Sequence, residues 1–160
     1  MSCTKHIASC SGGKDSVATL LLAAEHNEPL DEAVFSEVMF DRETSGEVPE
    51  HRDFIYNRLK PFCENELGIK FTILHADKTY DDVFHHIIVR GPHQGEKRGF
   101  VWPGMCAANR DCKVPPIRKY NALLSLFNIT TEKVEGELHG KAQQGLLYIP
   151  LNENGERAGH

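Results

Sequence analysis

Two adjacent glycines, Gly12 and Gly13, separate two apolar runs and constrain what each can become. Ahead of them, Ile7-Ala8-Ser9-Cys10 has the length and character of a buried strand. Behind them, Val17 to Ala24 is long and apolar enough for a helix packed on a core. A glycine pair lets the chain turn from strand to helix with no Cβ in the path of an approaching anion. The helix N-terminus contributes partial positive charge and Lys14 a full one. The stretch Ser11-Gly12-Gly13-Lys14-Asp15-Ser16 therefore raises a phosphate question before any other.

The rest of the chain repeats the alternation. A strand over about Lys5 to Cys10 is followed by a helix from Asp15 to about His26, with Pro29 beyond its end. Ala33 to Phe40 reads as a second strand. Pro49 opens a long helix with Glu47, Glu50 and Asp53 near its positive end. Ile55, Leu59 and Phe62 recur at helical spacing and define its core face, Pro61 should kink or split it, and Gly68 should end it. Phe71 to Leu74 is a third strand. Asp77 or Thr79 can cap a helix carrying Val83, Phe84, Ile87 and Ile88. Asp81 and Asp82 stand four residues before His85 and His86, a spacing that shares one helix face. Gly91 to Gly104 holds four glycines and two prolines and reads as a loop long enough to be functional. Ile117 to Phe127 reads as a helix with Leu123, Leu124 and Phe127 on one face, and Leu146 to Ile149 can form a strand. Alternating strands and helices imply a Rossmann-like three-layer α/β fold, a mainly parallel sheet with helices on both faces. One domain over residues 1–160 is expected, with 127–160 its least defined part. In such sheets ligands bind beyond the carboxyl ends of the strands, where this loop and Asp41 would project.

Composition narrows the function classes. The mainly apolar run Val17 to Ala24 is too short to span a bilayer, and the first residues lack the apolar stretch of a secretory signal. A cytoplasmic protein without a membrane partner is expected. Five cysteines at irregular spacing, with no Cys-x-x-Cys pair, argue against a disulfide framework and against an iron–sulfur cluster. Cys10 and Cys63 lie among apolar neighbours, as core thiols do. A net charge of −5 disfavours general nucleic-acid binding. Between Arg90 and Lys119, however, seven basic residues face only Glu96 and Asp111, a local +5 on a chain that is otherwise −10. Such a segment suits a small, highly charged anion. Within it, Arg110 and Lys113 can contact phosphate or sulfate oxygens, and Cys106 would be an activated thiol if those cations converge on it. Asp41, just past the second strand, can accept hydrogen bonds from ribose hydroxyls or from water on a metal.

The loop is not a Walker motif, which needs four residues between its glycines. Ser-Gly-Gly-Lys-Asp-Ser resembles the PP-loop of the ATP pyrophosphatases and of the phosphoadenosine phosphosulfate (PAPS) reductase family. Two further stretches are similar to that family. Phe40-Asp41-Arg42-Glu43-Thr44-Ser45-Gly46-Glu47-Val48-Pro49-Glu50 resembles its Asp-Thr-Gly-like turn before Glu-x-Pro-Glu, with Arg42-Glu43 as a small insertion. Cys106 to Ile117 resembles its block of a cysteine, a nearby lysine and a Pro-Ile helix start. Together these stretches span residues 5 to about 120.

The resemblance implies an adenine-nucleotide-binding domain in which Ser11, Gly12, Gly13, Lys14, Asp15 and Ser16 hold the phosphate or sulfate group. The ligand would be ATP, with Mg²⁺ as a companion, or an adenylyl sulfate (APS or PAPS). The chemistry would lie at its α-phosphate or sulfate, with Lys14 and Cys106 as the catalytic candidates and a thiol reductant or an acceptor as second substrate. Homo-oligomerisation stays open. Family reductases attack sulfur with a cysteine in a C-terminal Glu-Cys-Gly-Leu-His-like tail; this sequence has no cysteine after Cys112, and Glu137-Leu138-His139 is an echo without the thiol. An ATP pyrophosphatase that adenylates an acceptor, for instance for thiolation, and a non-catalytic nucleotide-binding module therefore stand beside the PAPS-reductase-like reading.

Overall fold

A computed structural model describes residues 3–99, 106–126 and 129–133. The elements run β1 (Cys3–Ser9), α1 (Lys14–Glu25), β2 (Glu32–Glu37), α2 (Pro49–Phe54), a π-helical turn (Ile55–Leu59), α3 (Lys60–Asn65), β3 (Lys70–His75), α4 (Tyr80–Phe84), a second π-helical turn (Asn109–Lys113), α5 (Val114–Leu126) and β4 (Ile129–Lys133). The strands form one sheet in the order β3-β2-β1-β4. β1 lies parallel to β2, pairing Ile7 with Glu32, and parallel to β4, pairing Cys3 with Ile129. Glu32 meets Thr72 while Glu37 meets His75, so β3 runs in the same direction as β2. The fold is therefore α/β around a small, mainly parallel sheet. Leu146–Ile149 and Phe127 lie outside the described residues.

Two compact units share this chain. The first takes residues up to Phe35, then Asp53–Thr72, then from Leu124 onward. Its core gathers Ile7, Ala8, Cys10, Leu20, Ala23, Ala33, Val34, Phe35, Ile55, Leu59, Cys63, Ile69 and Phe71. Cys10 and Cys63 are buried as expected, and burial pushes the Cys63 thiol up to about 11. The second unit takes Ser36–Arg52 and Ile73–Leu123, with Val38, Val83, Ala107 and Cys112 at its core.

Four expectations are corrected. First, β2 stops at Glu37, not Phe40, because the chain reverses at once. Gly46 donates its backbone N–H to Val38 O at 2.8 Å, and Phe40 donates to Thr44 O at 2.8 Å. A Cβ on Gly46 would sit 3.0 Å from Val38 O, so this close return needs glycine. Second, Phe62 is exposed instead of buried; the long helix is split near Pro61, as expected, into two helices joined by a π-helical turn. The wider turn shifts the helical phase, so the buried face runs through Ile55, Leu59 and Cys63. Third, α4 ends at Phe84, leaving Ile87 and Ile88 beyond it; Ile87 forms an antiparallel bridge with Lys97 and is exposed. Thr79 is the cap: its hydroxyl accepts from Asp82 N, and Asp82 accepts in return from Thr79 N, a reciprocal capping box. Fourth, α5 starts at Val114, ahead of Ile117, and Leu123 is exposed.

The glycine-rich loop is more ordered than its composition suggests up to Gly99. Gly95 donates to Ile88 O at 2.8 Å, Ile88 to Glu96 O at 2.9 Å and Arg98 to His86 O at 2.9 Å, closing a hairpin-like turn. Residues 100–105 lie outside the described part of the chain. Gly68, at φ +67°, turns the chain out of α3, and Ile69 donates back to Cys63 O at 2.9 Å.

Candidate functional site

The glycine pair makes the turn that the sequence requires of it. β1 ends at Ser9, Gly12 adopts φ +75°, and Gly13, in extended conformation, is the N-cap of α1. Gly13 has no side chain with which to cap this helix start, and its own N–H donates to Ser11 Oγ at 3.4 Å. Among the described residues, no side-chain acceptor meets the N–H groups of Lys14, Asp15 or Ser16, which is the arrangement an anion needs. Lys14 is the first helical residue, and Ser11, Gly13, Lys14 and Asp15 are exposed.

Ser16 plays a different part from its neighbours. It is buried, and its hydroxyl donates to Gly13 O at 2.9 Å. The Cys10 thiol donates to Ser16 Oγ at 3.6 Å, and Ser11 Oγ lies 3.2 Å from it. Burial raises the Cys10 pKa, so this thiol stays protonated and serves as a donor. Ser16 thus shapes the loop from beneath while the exposed residues form its open side. Thr19 Oγ1 bonds Asp15 O at 2.9 Å and completes the first turn.

The remaining sequence-derived candidates lie in the second unit. Asp41 caps its own loop: Oδ1 accepts from Glu43 N at 2.8 Å and Thr44 N at 2.6 Å. These backbone donors hold its carboxyl below the usual range. Arg110 lays its guanidinium fork on Asp111, with Nε and Nη2 each 2.8 Å from a carboxylate oxygen. Arg98 adds a contact to Asp111 at 3.1 Å. The Arg110 fork in particular holds the Asp111 carboxyl down at about 2. Lys113 Nζ stands 3.8 Å from Glu47. Cys106 is exposed, and its Sγ accepts from Asn109 N at 3.4 Å. Cys106, Arg110 and Lys113 are thus set around one π-helical turn, with both cations paired to carboxylates.

His85 pairs with Asp81 at 3.1 Å, as the four-residue spacing allows. Among the described residues, no three His, Cys, Asp or Glu side chains gather as a metal site. Nor is any described helix long and apolar enough to cross a membrane.

The sequence reading passed over two buried carboxylates. Every residue of β2 is buried, including Glu32 and Glu37 at its two ends. Glu32 is held by Lys5, Lys70 and Thr72. Glu37, 1% exposed, accepts from Ser45 Oγ at 2.7 Å and Arg52 Nε at 2.9 Å on one oxygen. Its other oxygen pairs with His75 Nε2 at 2.7 Å. The available signal was two acidic residues bounding the apolar stretch Ala33–Phe35, a place that charges enter only when paired. Comparison with protein-family models, curated proteins and solved structures gave no match.

Proposed function

We propose that this chain is a PAPS-reductase-like PP-loop enzyme with a Rossmann-like three-layer architecture, working in the cytoplasm. It binds ATP or an adenylyl sulfate and acts at the α-phosphate or sulfate. One observation carries the reading: a Gly12–Gly13 turn leads from β1 into a helix start whose N-cap, Gly13, has no side chain, with Lys14 as its first residue. Backbone N–H groups, the helix dipole and the ammonium then act on the same oxygens, and they stabilise charge that grows as the α-phosphate or sulfate bond breaks. The hydroxyl of Ser16 keeps the loop in that form by holding Gly13 O. Cys106, as an exposed thiol, is the residue through which reductive chemistry would run, whereas ATP with Mg²⁺ would make the reaction an adenylation of an acceptor.

A ligand panel tests this. Thermal unfolding would be followed with ATP–Mg²⁺, AMP, APS, PAPS and the 3′,5′-bisphosphate product, with Lys14→Ala as control. A ligand that binds only the folded state raises Tm. The expected result is a rise with ATP–Mg²⁺ or with the adenylyl sulfates that Lys14→Ala removes. No shift with any of the five, or equal shifts in the variant, would falsify the assignment.

A further inference from the structure

The cluster around Glu37 is built more elaborately than stability requires. Arg52 alone neutralises the buried carboxylate, and Ser45 satisfies a further lone pair on the same oxygen. His75 nevertheless spends Nε2 on the second oxygen, although its side chain is 47% exposed and has water at hand. Glu37 is the last residue of β2 and His75 the last of β3. The pair therefore stands at the carboxyl ends of two neighbouring strands, the edge at which open α/β sheets carry out their chemistry.

The geometry fixes the imidazole tautomer. An ionised carboxylate only accepts hydrogen bonds, so the ring nitrogen beside it must carry the proton. Nε2 is then the donor, and Nδ1 of the neutral ring keeps its lone pair. Nδ1 has no hydrogen-bond partner among the described residues. A partly exposed, unblocked ring nitrogen, oriented by a buried carboxylate that is itself held by two other side chains, is the arrangement of a proton acceptor with its orienting group.

We propose that His75 is a general base and Glu37 its positioning residue. The proton donor is an acceptor substrate whose nucleophile carries an O–H or N–H bond; its identification as an acceptor rests on the function proposed above. In the step, that O–H or N–H bond breaks, a bond from the proton to Nδ1 forms, and the electron pair stays on the nucleophile. The resulting imidazolium is opposed by the Glu37 carboxylate, which takes no proton itself.

Two measurements on the full chain decide this without knowledge of the acceptor. In ¹⁵N NMR, the neutral His75 ring of the wild type should show a protonated Nε2 and a bare Nδ1, with His75→Gln assigning the signals. Glu37→Gln should move the ring toward a mixture of tautomers, whereas Ser45→Ala, which removes a different bond to the same carboxylate, should leave it unchanged. With diethyl pyrocarbonate as probe, His75 should be acylated first at Nδ1 in the wild type, and in part at Nε2 in Glu37→Gln. A proton on Nδ1 of the neutral wild-type ring, or first acylation of the wild-type ring at Nε2, overturns the proposal. Failure of every nucleotide to bind while both His75 results hold would remove the nucleotide reading alone.

Discussion

Lys60 donates its backbone N–H to Ile55 O, five residues back, one residue before Pro61. Val114 does the same with Asn109 O, one residue before Pro115. In an α-helix the proline ring would press on the carbonyl four residues earlier and leave it without a donor. At both places a widened turn comes just ahead of the proline, and the helix resumes beyond it.

The phase shift makes a stability prediction. Leu59 and Phe62 share a face in an uninterrupted helix, but here Leu59 is 3% exposed and Phe62 is 38% exposed. Leu59→Ala should cost about 2–5 kcal/mol and Phe62→Ala well under half of that. Urea unfolding of the two variants checks it, and equal losses would contradict the π-helical turn.

The two loop glycines should separate conformation from ligand contact. Gly12 adopts φ +75°, so Gly12→Ala should cost about 1 kcal/mol of stability. A Cβ on Gly13 meets only Ser11 Oγ, at 3.4 Å, and Gly13→Ala should leave stability within about 0.5 kcal/mol of wild type. That same methyl lies on the open side of the loop, so nucleotide-induced stabilisation should fall sharply in Gly13→Ala. Calorimetric titration with ATP–Mg²⁺ and with PAPS reads the second effect and thermal unfolding the first.

Arg52 should matter more than its exposure suggests. Removing it leaves Glu37 buried and charged, with Ser45 and His75 still in contact with it. Arg52→Met should therefore destabilise the protein by about 3 kcal/mol, toward the low end for a broken buried pair because those two contacts remain. Combining it with Glu37→Gln should recover part of the loss, and a double-variant cycle measures how much.

Acid should expose the Asp111 cluster. Its carboxyl is lowered from 3.8 to about 2, chiefly by Arg110. A carboxyl depressed by folding contributes stability that is fully present above the unfolded value and is lost as pH falls through the folded one. The loss should run between about pH 4 and pH 2, and Asp111→Asn should flatten the slope of unfolding free energy against pH in that window. An unchanged slope would show that the Arg110 fork does not persist in solution.

What the sequence disclosed was mostly local. The strand, glycine pair and helix around Ser11–Ser16 were legible because apolar runs and glycine conformations act within a few residues. Thr79 could be placed as a capping candidate for the same reason. The exposure of Phe62 was not, since a one-residue change in hydrogen-bond spacing leaves the apolar pattern looking helical. Pro61 announced a break but not its form. Glu32 and Glu37 escaped because the partners that make their burial tolerable stand far along the chain: Lys5, Lys70 and Thr72 for one, Ser45, Arg52 and His75 for the other. Arg110 and Lys113 were legible as cations, but their pairing with Asp111 and Glu47 is a tertiary fact.

The chain crosses between its two units after Phe35, Arg52, Thr72 and Leu123. Neither unit is a continuous piece of sequence, so a single cut cannot release either one whole. On the ribosome, the first unit must wait for residues beyond Leu124 before its pieces are all present, and by then every piece of the second has been made. The first unit is thus completed only after the second, and β1 stays without its β4 partner until then.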